Sequence, residues 1–459
     1  MNDASKLALA SASARGSGRP PSRNRRLSVH IYNTHIGDVQ QDAGGRTAFS
    51  YLPEWRDRPS AVPLSLSMPL VAQHYASKVT EAFLWGLLPE RPDVLERLAR
   101  EHQISPRNAL ALLGVVGEDC AGAVQFFHED AEPTLDGIEW LDDGEVGRRL
   151  KLLREPYGSI GRIPGERGQF SLGGAQAKTA LLREVMDDRV QWGVPAGRIP
   201  TTHILKPPMG GLIGQVENEH FCLLLSRALG LVTARSSVLY FGDESCIAVE
   251  RYDRTSRVLD GQTQWTRIHQ EDMCQALSVK PEGKYQRDRG PSARDVMHLL
   301  RDNSSRPRED MQRFMRALAL NFVILGTDAH AKNFSLVIAP GSDRPQIRLA
   351  PLYDINSYLP YADAHNDDIR MAMSIDGRYE SQDIMPRHWE REARAGGLSP
   401  EQTLADLRDI IVRAPDLSVD IVRQCRKAGL NHPVLPQLAK MVTKRCIRLQ
   451  RLYGAEVAD

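Results

Sequence analysis

The sequence predicts an α+β fold, and three observations predict it. Apolar and polar residues alternate at 27–32, as in a half-buried strand. Strand signals dominate again from 170 to 254. From about 293 to the end the pattern is mainly helical. Runs of strands followed by runs of helices read as α+β.

Composition narrows the function classes. The chain has 459 residues, enough for two or three domains. A hydrophobic share of 41% and a charged share of 25% are those of a soluble globular protein. A net charge of +1 gives no bulk attraction to nucleic acid or membrane. Cys120, Cys222, Cys246, Cys274, Cys425 and Cys446 form no C-x-x-C pair, which speaks against zinc. Scattered thiols in so long a chain predict a reduced, cytoplasmic protein. No apolar run approaches the ~20 residues of a bilayer span. Residues 7–10 are too short an apolar run for a signal-peptide core.

The segments follow in order. Residues 1–26, with five arginines between Arg15 and Arg26, predict a disordered basic leader. Residues 27–150 predict a small α+β subdomain. Within it, turn chemistry at Gly37 and 42–45 precedes a strand at 49–51. A helical region spans 77–117, with apolar stretches at 83–88 and 109–113, and 121–126 reads as a closing strand. Residues 130–165, acidic and then Gly/Pro-rich, predict a linker. Residues 151–290 carry strands at 179–182, 203–206, 237–240 and 247–250. One helix interrupts them at 216–229, with Phe221, Leu224, Leu225 and Leu229 at helical spacing. Residues 291–459 predict a helical lobe, broken near 334–360. There is no internal repeat.

The chemistry-bearing pattern is Asp328, then Asn333 five residues on, then Asp354 after a short apolar segment. Protein kinases space a base Asp and a metal-binding Asn this way, with a later Asp on the metal. Phosphoryl transfer needs a group to orient the acceptor hydroxyl and hard oxygens to hold Mg²⁺ on the phosphates. Any one of these residues would also fit a loop side chain bonding its own backbone. Ser171, Gly173, Gly174, Ala175, Gln176 and Lys178 lie in a loop before a strand. Small residues there let backbone N–H groups approach phosphates, though a hairpin turn would look the same. Lys206 ends a strand, where it could pair with phosphates or simply snorkel. Glu217 or Glu219 opens the next helix and could pair with Lys206. Glu250 and Tyr252 end a strand where an adenine edge could dock, and Gln270 could meet the nucleotide. His330 reads as structural or as a phosphate donor.

Together these stretches resemble the HipA family, serine/threonine-kinase toxins of type II toxin–antitoxin modules. The matching segments are 170–182, 202–206, Glu219 with Phe221 and Cys222, 249–254, 269–272, 326–335 and 349–354. The likeness runs from about Leu27 to the C-terminal helices. It implies a protein-kinase-like bilobal fold, with a small α+β N-terminal subdomain and an all-helical C-terminal lobe. It implies an ATP-binding set of Gly173, Gly174, Ala175, Gln176, Lys178, Lys206, Glu250, Tyr252, Gln270 and His330. Asp328 would be the catalytic base, Asn333 and Asp354 the Mg²⁺ ligands, and Ser171 a self-inactivating autophosphorylation site. The implied substrate is a protein, such as an aminoacyl-tRNA synthetase (the glutamyl enzyme among them), with arrest of translation and growth. The implied partner is a small helix-turn-helix antitoxin, HipB-like, that binds operator DNA. The chain departs from the family pattern in its leader, at Gly173 and at Ala177. A small-molecule or lipid kinase, or a nucleotide-sensing co-repressor without turnover, would use the same residues.

Overall fold

The computed structural model describes residues 25–128, 136–155, 170–259, 262–361 and 369–454. Of the expected leader, residues 1–24 lie outside the described residues, while Arg25 and Arg26 already belong to the first strand.

β1 (Arg25–Ile31), β2 (Thr34–Gln41) and β3 (Thr47–Tyr51) form an antiparallel meander. Alternation turns Leu27, Val29 and Ile31 inward, where all three are buried. α1 (Pro53–Arg56) and the short β4 (His74–Tyr75) follow. The region expected to be helical at 77–117 is three helices: α2 (Ser77–Leu87), α3 (Pro92–Glu101) and α4 (Ala109–Val116). Proline sets the first break, because Leu88 before Pro89 is extended. Asn108 starts the last helix by accepting a hydrogen bond from Ala111 N at 3.0 Å. β5 (Val124–His128) pairs with the first strand and closes the order β4-β3-β2-β1-β5.

The expected linker at 130–165 is corrected in its middle. Residues 129–135 and 156–169 lie outside the described residues. Between them stand β6 (Gly137–Leu141) and α5 (Asp143–Arg154). A capping box starts the helix: Asp142 Oδ1 accepts from Glu145 N, and Glu145 Oε2 accepts from Asp142 N. Of the acidic residues that suggested a linker, Asp142, Asp143 and Glu145 are thus helix-start residues.

β7 (Thr179–Met186), β8 (Arg189–Ala196), β9 (His203–Lys206), α6 (Gln215–Ala228), β10 (Ser236–Phe241) and β11 (Glu244–Glu250) come next. With β6 they build an antiparallel sheet in the order β10-β11-β9-β7-β8-β6. One face is closed by α5, whose Val146, Leu150 and Leu153 meet Leu181, Trp192, Leu205 and Ala248 in a core of their own. β12 (Arg254–Leu259) and β13 (Gln262–Arg267) form a separate ribbon.

β14 (His269–Asp272) runs into the single turn α7 (Met273–Ala276). Then come α8 (Ala293–Asn303), α9 (Pro307–Ile324), β15 (Ser335–Ala339), β16 (Gln346–Leu349), β17 (Arg370–Ile375), β18 (Arg378–Glu380), α10 (Pro386–Gly396), α11 (Pro400–Lys427) and α12 (Val434–Tyr453). The framework is helical, as the sequence predicts. It also holds strands: β15 and β16 fall in the expected break near 334–360 and pair with β14 in one sheet, while the β17-β18 hairpin stands where only helix was expected. These strands are short, so their alternation is weak against the surrounding helical pattern. Among the described residues no helix is long and apolar enough to cross a membrane.

One continuous buried core links the first sheet, α6 and the C-terminal helices. Phe83, Phe126, Phe221 and Phe314 lie fully inside it, and burying each such ring contributes ~1.5–3 kcal/mol. An ionic knot joins the N-terminal layer to the strand end after β11. Asp119 Oδ1 accepts from Arg254 Nη2 at 2.9 Å and Arg267 Nε at 3.0 Å. Asp119 Oδ2 accepts from Thr201 Oγ1 at 2.6 Å and Arg251 Nη1 at 3.2 Å. Asp253 answers by accepting from Arg251 Nη2 at 2.8 Å and Gly122 N at 2.7 Å. Burial pushes the Asp119 carboxyl up, but three guanidiniums outweigh it and hold the group well below the usual carboxylate range.

Candidate active site

β9 ends on Lys206, which the sheet delivers to the mouth of a cavity of about 420 Å³. Every expected site residue except Ser171 lines this cavity. Lys206 Nζ donates to Glu219 Oε1 and to Asp354 Oδ1, both at 2.8 Å. Glu219 is therefore the partner. Glu217 is buried on the same helix and does not pair with Lys206. Burial would lower the Lys206 pKa, yet the two carboxylates outweigh it and hold the ammonium charged. Desolvation raises the pKa of the half-buried Asp354, yet Lys206 and Lys178 face it and hold it below the usual carboxylate range. Its backbone is left-handed, φ +54, a conformation Asp tolerates better than most residues.

The 171–178 loop wraps the same cavity. Gly174 has φ +107, and a Cβ on Gly173 would lie 2.5 Å from Gly86 O. Glycine is required at both points, Gly174 for its backbone conformation and Gly173 for close packing against α2. Lys178 Nζ donates to Gly173 O at 2.7 Å. Burial and then Lys206 lower its pKa to about 8. Gln176 Nε2 is buried without a partner. Ser171 is set apart: it is 1% exposed, and its Oγ donates to Leu87 O at 2.8 Å.

Tyr252 and Gln270 form the opposite wall, the Tyr252 hydroxyl donating to Gln270 Oε1. Tyr252 stacks on Tyr353 with centroids 5.8 Å apart. With Ile204, Ala234 and Val249 they give this end an apolar lining, and exposed Glu250 marks its rim.

α9 ends at Leu325 in the left-handed region, φ +50. A Cβ on the next residue, Gly326, would lie 2.1 Å from Asn321 Oδ1, so any larger residue here would have to displace the Asn321 amide. Asp328 follows with its side chain 65% exposed. Asn333 Nδ2 donates to Asp328 O at 2.7 Å, which holds the loop and leaves the amide oxygen as the atom that could meet a cation. His330 is buried, with Nδ1 unpartnered, and burial lowers its pKa against the pull of Asp328.

Sequence reasoning assigned no role to a second ring of charges. Lys332 Nζ donates to Asp272 Oδ2 at 2.8 Å and to Gly86 O at 3.2 Å. Lys284 Nζ donates to Glu90 Oε2 at 2.6 Å, across 194 positions of chain. The Tyr285 hydroxyl donates to Asp328 Oδ1 at 2.5 Å. The one readable signal was the D-x-x-Q capping box of Asp272 and Gln275, which fixes where Asp272 points.

The donor set suits a hard divalent cation. Asn333 and Asp354 offer oxygens only, and among the described residues no three His, Cys, Asp or Glu side chains converge as a closed metal cage. Mg²⁺ characteristically completes its shell with water and substrate phosphates. Gln176 Nε2 and His330 Nδ1, both orphaned at the cavity, are the kind of polar atoms a bound polyphosphate would satisfy.

Residues 170–417 match the model of the HipA-like C-terminal domain, and residues 27–127 match that of the HipA N-terminal domain. A protein of Sinorhizobium fredii named as a candidate kinase, Y4mE, is 36% identical over 381 residues, 82% of this chain and 86% of that protein. The serine/threonine-protein kinase toxin HipA of Shewanella oneidensis is 27% identical over 408 residues, 86% of this chain and 89% of that protein. Among solved structures, a chain from the complex of Shewanella oneidensis HipA, HipB and operator DNA superposes with a TM-score of 0.77. It is 25% identical and covers 94% of this chain and 100% of that one.

Proposed function

Since the chain belongs to the HipA family and is a protein serine/threonine kinase, we propose that it uses ATP with Mg²⁺ to phosphorylate a protein and arrest growth. The convergence of Lys206, Asp354, Asn333 and Asp328 on one cavity carries this reading. Lys206, held by Glu219, neutralises phosphate charge from a rigid strand end. The 173–178 loop approaches the phosphates with backbone N–H groups and Lys178. Tyr252 and the apolar end receive the adenine. Asn333 and Asp354 would hold Mg²⁺, which when bound screens charge on the triphosphate. Asp328 orients the acceptor hydroxyl and takes its proton as the acceptor oxygen bonds the γ-phosphorus and the bond to the β–γ bridging oxygen breaks, releasing ADP.

The target class we favour is an aminoacyl-tRNA synthetase, whose phosphorylation would stop translation. Ser171 is the proposed self-phosphorylation site. Because it is buried against Leu87 O, the loop must leave its seat before the hydroxyl can be modified. The added ~1.5–2 negative charges would then hold it out by repulsion. One experiment tests both claims: brief expression of wild type and Ser171→Ala, followed by phosphoproteomics and intact-mass analysis. The expected result is a phosphorylated synthetase in both and a self-phosphate only in wild type. A full phosphate shift in Ser171→Ala removes that residue as the site. A phosphorylated metabolite without any phosphoprotein favours a small-molecule kinase instead.

The complex that contains the structural relative also contains HipB and operator DNA. We take a small helix-turn-helix protein as this chain's antitoxin. A net charge of +1 makes direct DNA affinity weak, so DNA is reached through that partner. A mobility shift of operator DNA by this chain alone counts against the assignment.

A further inference from the structure

We propose that Tyr285 is a positioning residue for Asp328: its hydroxyl fixes one carboxylate oxygen and so presents the other to the incoming acceptor hydroxyl. The proposal rests on reading Asp328 as the base. The tyrosine hydroxyl donates to Asp328 Oδ1 at 2.5 Å. Asp328 needs such a brace. Its side chain is 65% exposed, and the His330 ring, whose pKa burial lowers, stays 3.8 Å away. An exposed carboxylate turns readily about its own side-chain torsions. Proton abstraction tolerates little displacement from hydrogen-bonding geometry.

Tyr285 is itself held from several sides. It lies between two 3-10 turns, Pro281–Gly283 and Gln286–Asp288. Its carbonyl accepts from Asp288 N and Gly290 N, both at 2.9 Å. Gly290 has to be glycine, since a Cβ there would sit 2.6 Å from Tyr285 O. On one side Lys284 is tied to Glu90. On the other, Gln286 Nε2 donates to Ser374 Oγ and Gln286 Oε1 accepts from Ser374 N, both at 2.8 Å. The ring meets His330 edge-on with centroids 4.9 Å apart, and the Arg287 guanidinium lies 5.2 Å from its centroid. Burial and the Asp328 carboxylate push the hydroxyl's pKa up, so it stays a donor and does not compete for the acceptor's proton.

The test uses the full chain as wild type, Tyr285→Phe, Asp328→Asn and the double variant. Labelled phosphate transfer from ATP to bacterial lysate proteins gives kcat and the KM for ATP. A fluorescent ATP analogue gives nucleotide affinity, and thermal melting reports folding. Tyr285→Phe keeps the ring packing and loses only the hydroxyl. Its expected kcat is about 10- to 100-fold lower, with KM, affinity and melting unchanged. In the Asp328→Asn background the second change adds nothing, because Tyr285 acts through Asp328. An unchanged kcat in Tyr285→Phe beside an inactive Asp328→Asn retires the positioning role and leaves the base assignment standing. A raised kcat shows that the hydroxyl blocks the acceptor's place, which also overturns the proposal. A fall in kcat together with melting and affinity means packing alone. An active Asp328→Asn brings down the base reading itself.

Discussion

Replacing Asp328 by Asn lowers phosphoryl transfer about 10²- to 10⁴-fold, the usual range for loss of a positioned general base. The amide keeps the volume of the side chain, so the Asn333 and His330 bonds to the Asp328 backbone carbonyl persist. The change removes the anionic acceptor and puts an amide donor in place of one of its oxygens. Nucleotide affinity should hold, because Lys206 is anchored by Glu219 and Asp354, not by Asp328. The measurement is labelled transfer from ATP in parallel with binding of a fluorescent nucleotide. Turnover equal to wild type, with intact binding, would show that Asp328 is not the base.

Asp119→Ala is expected to destabilise the chain by about 3–5 kcal/mol, as removing one partner from a buried ion cluster does. Arg251, Arg254 and Arg267 would be left inside with only Asp253 among their carboxylates. The knot joins the N-terminal layer to the strand end that carries Glu250 and Tyr252, so the cavity should loosen as well. Denaturant midpoints of wild type and variant check the magnitude, and an unchanged midpoint defeats it. Acid offers a second check. The Asp119 pKa is depressed in the folded chain. Its stabilisation is therefore complete above the ordinary carboxylate range and drains away as pH falls below it. The variant should show a flatter acid limb.

How much of this was legible before folding depended on distance along the chain. Lys206, Glu219, Asp328 and Asp354 each sit at the edge of an apolar periodic segment, and that edge announces where the chain surfaces. The structure brings Lys206, Asp328 and Asp354 to one cavity, with Glu219 buried behind Lys206. Ser171 looked like its loop neighbours but faces α2, because a loop pattern does not say which side chain turns inward. The Lys284–Glu90 pair and the Asp119 knot had no such edge. Their partners are 194 and up to 148 positions apart, and each charge alone reads as solvated surface. The misread stretch near 140 is different. Its Ile138–Trp140 alternation and its Asp142–Glu145 cap were present, but the surrounding acidity outweighed them.

The first sheet and the C-terminal helices pack into a common interior, and this limits how the protein can be altered. An appended module with its own interior can be exchanged or trimmed while the rest keeps working. Here the accessory layer and the chemistry stand on shared ground. A substitution deep in the opening strands becomes, in effect, a substitution in the enzyme.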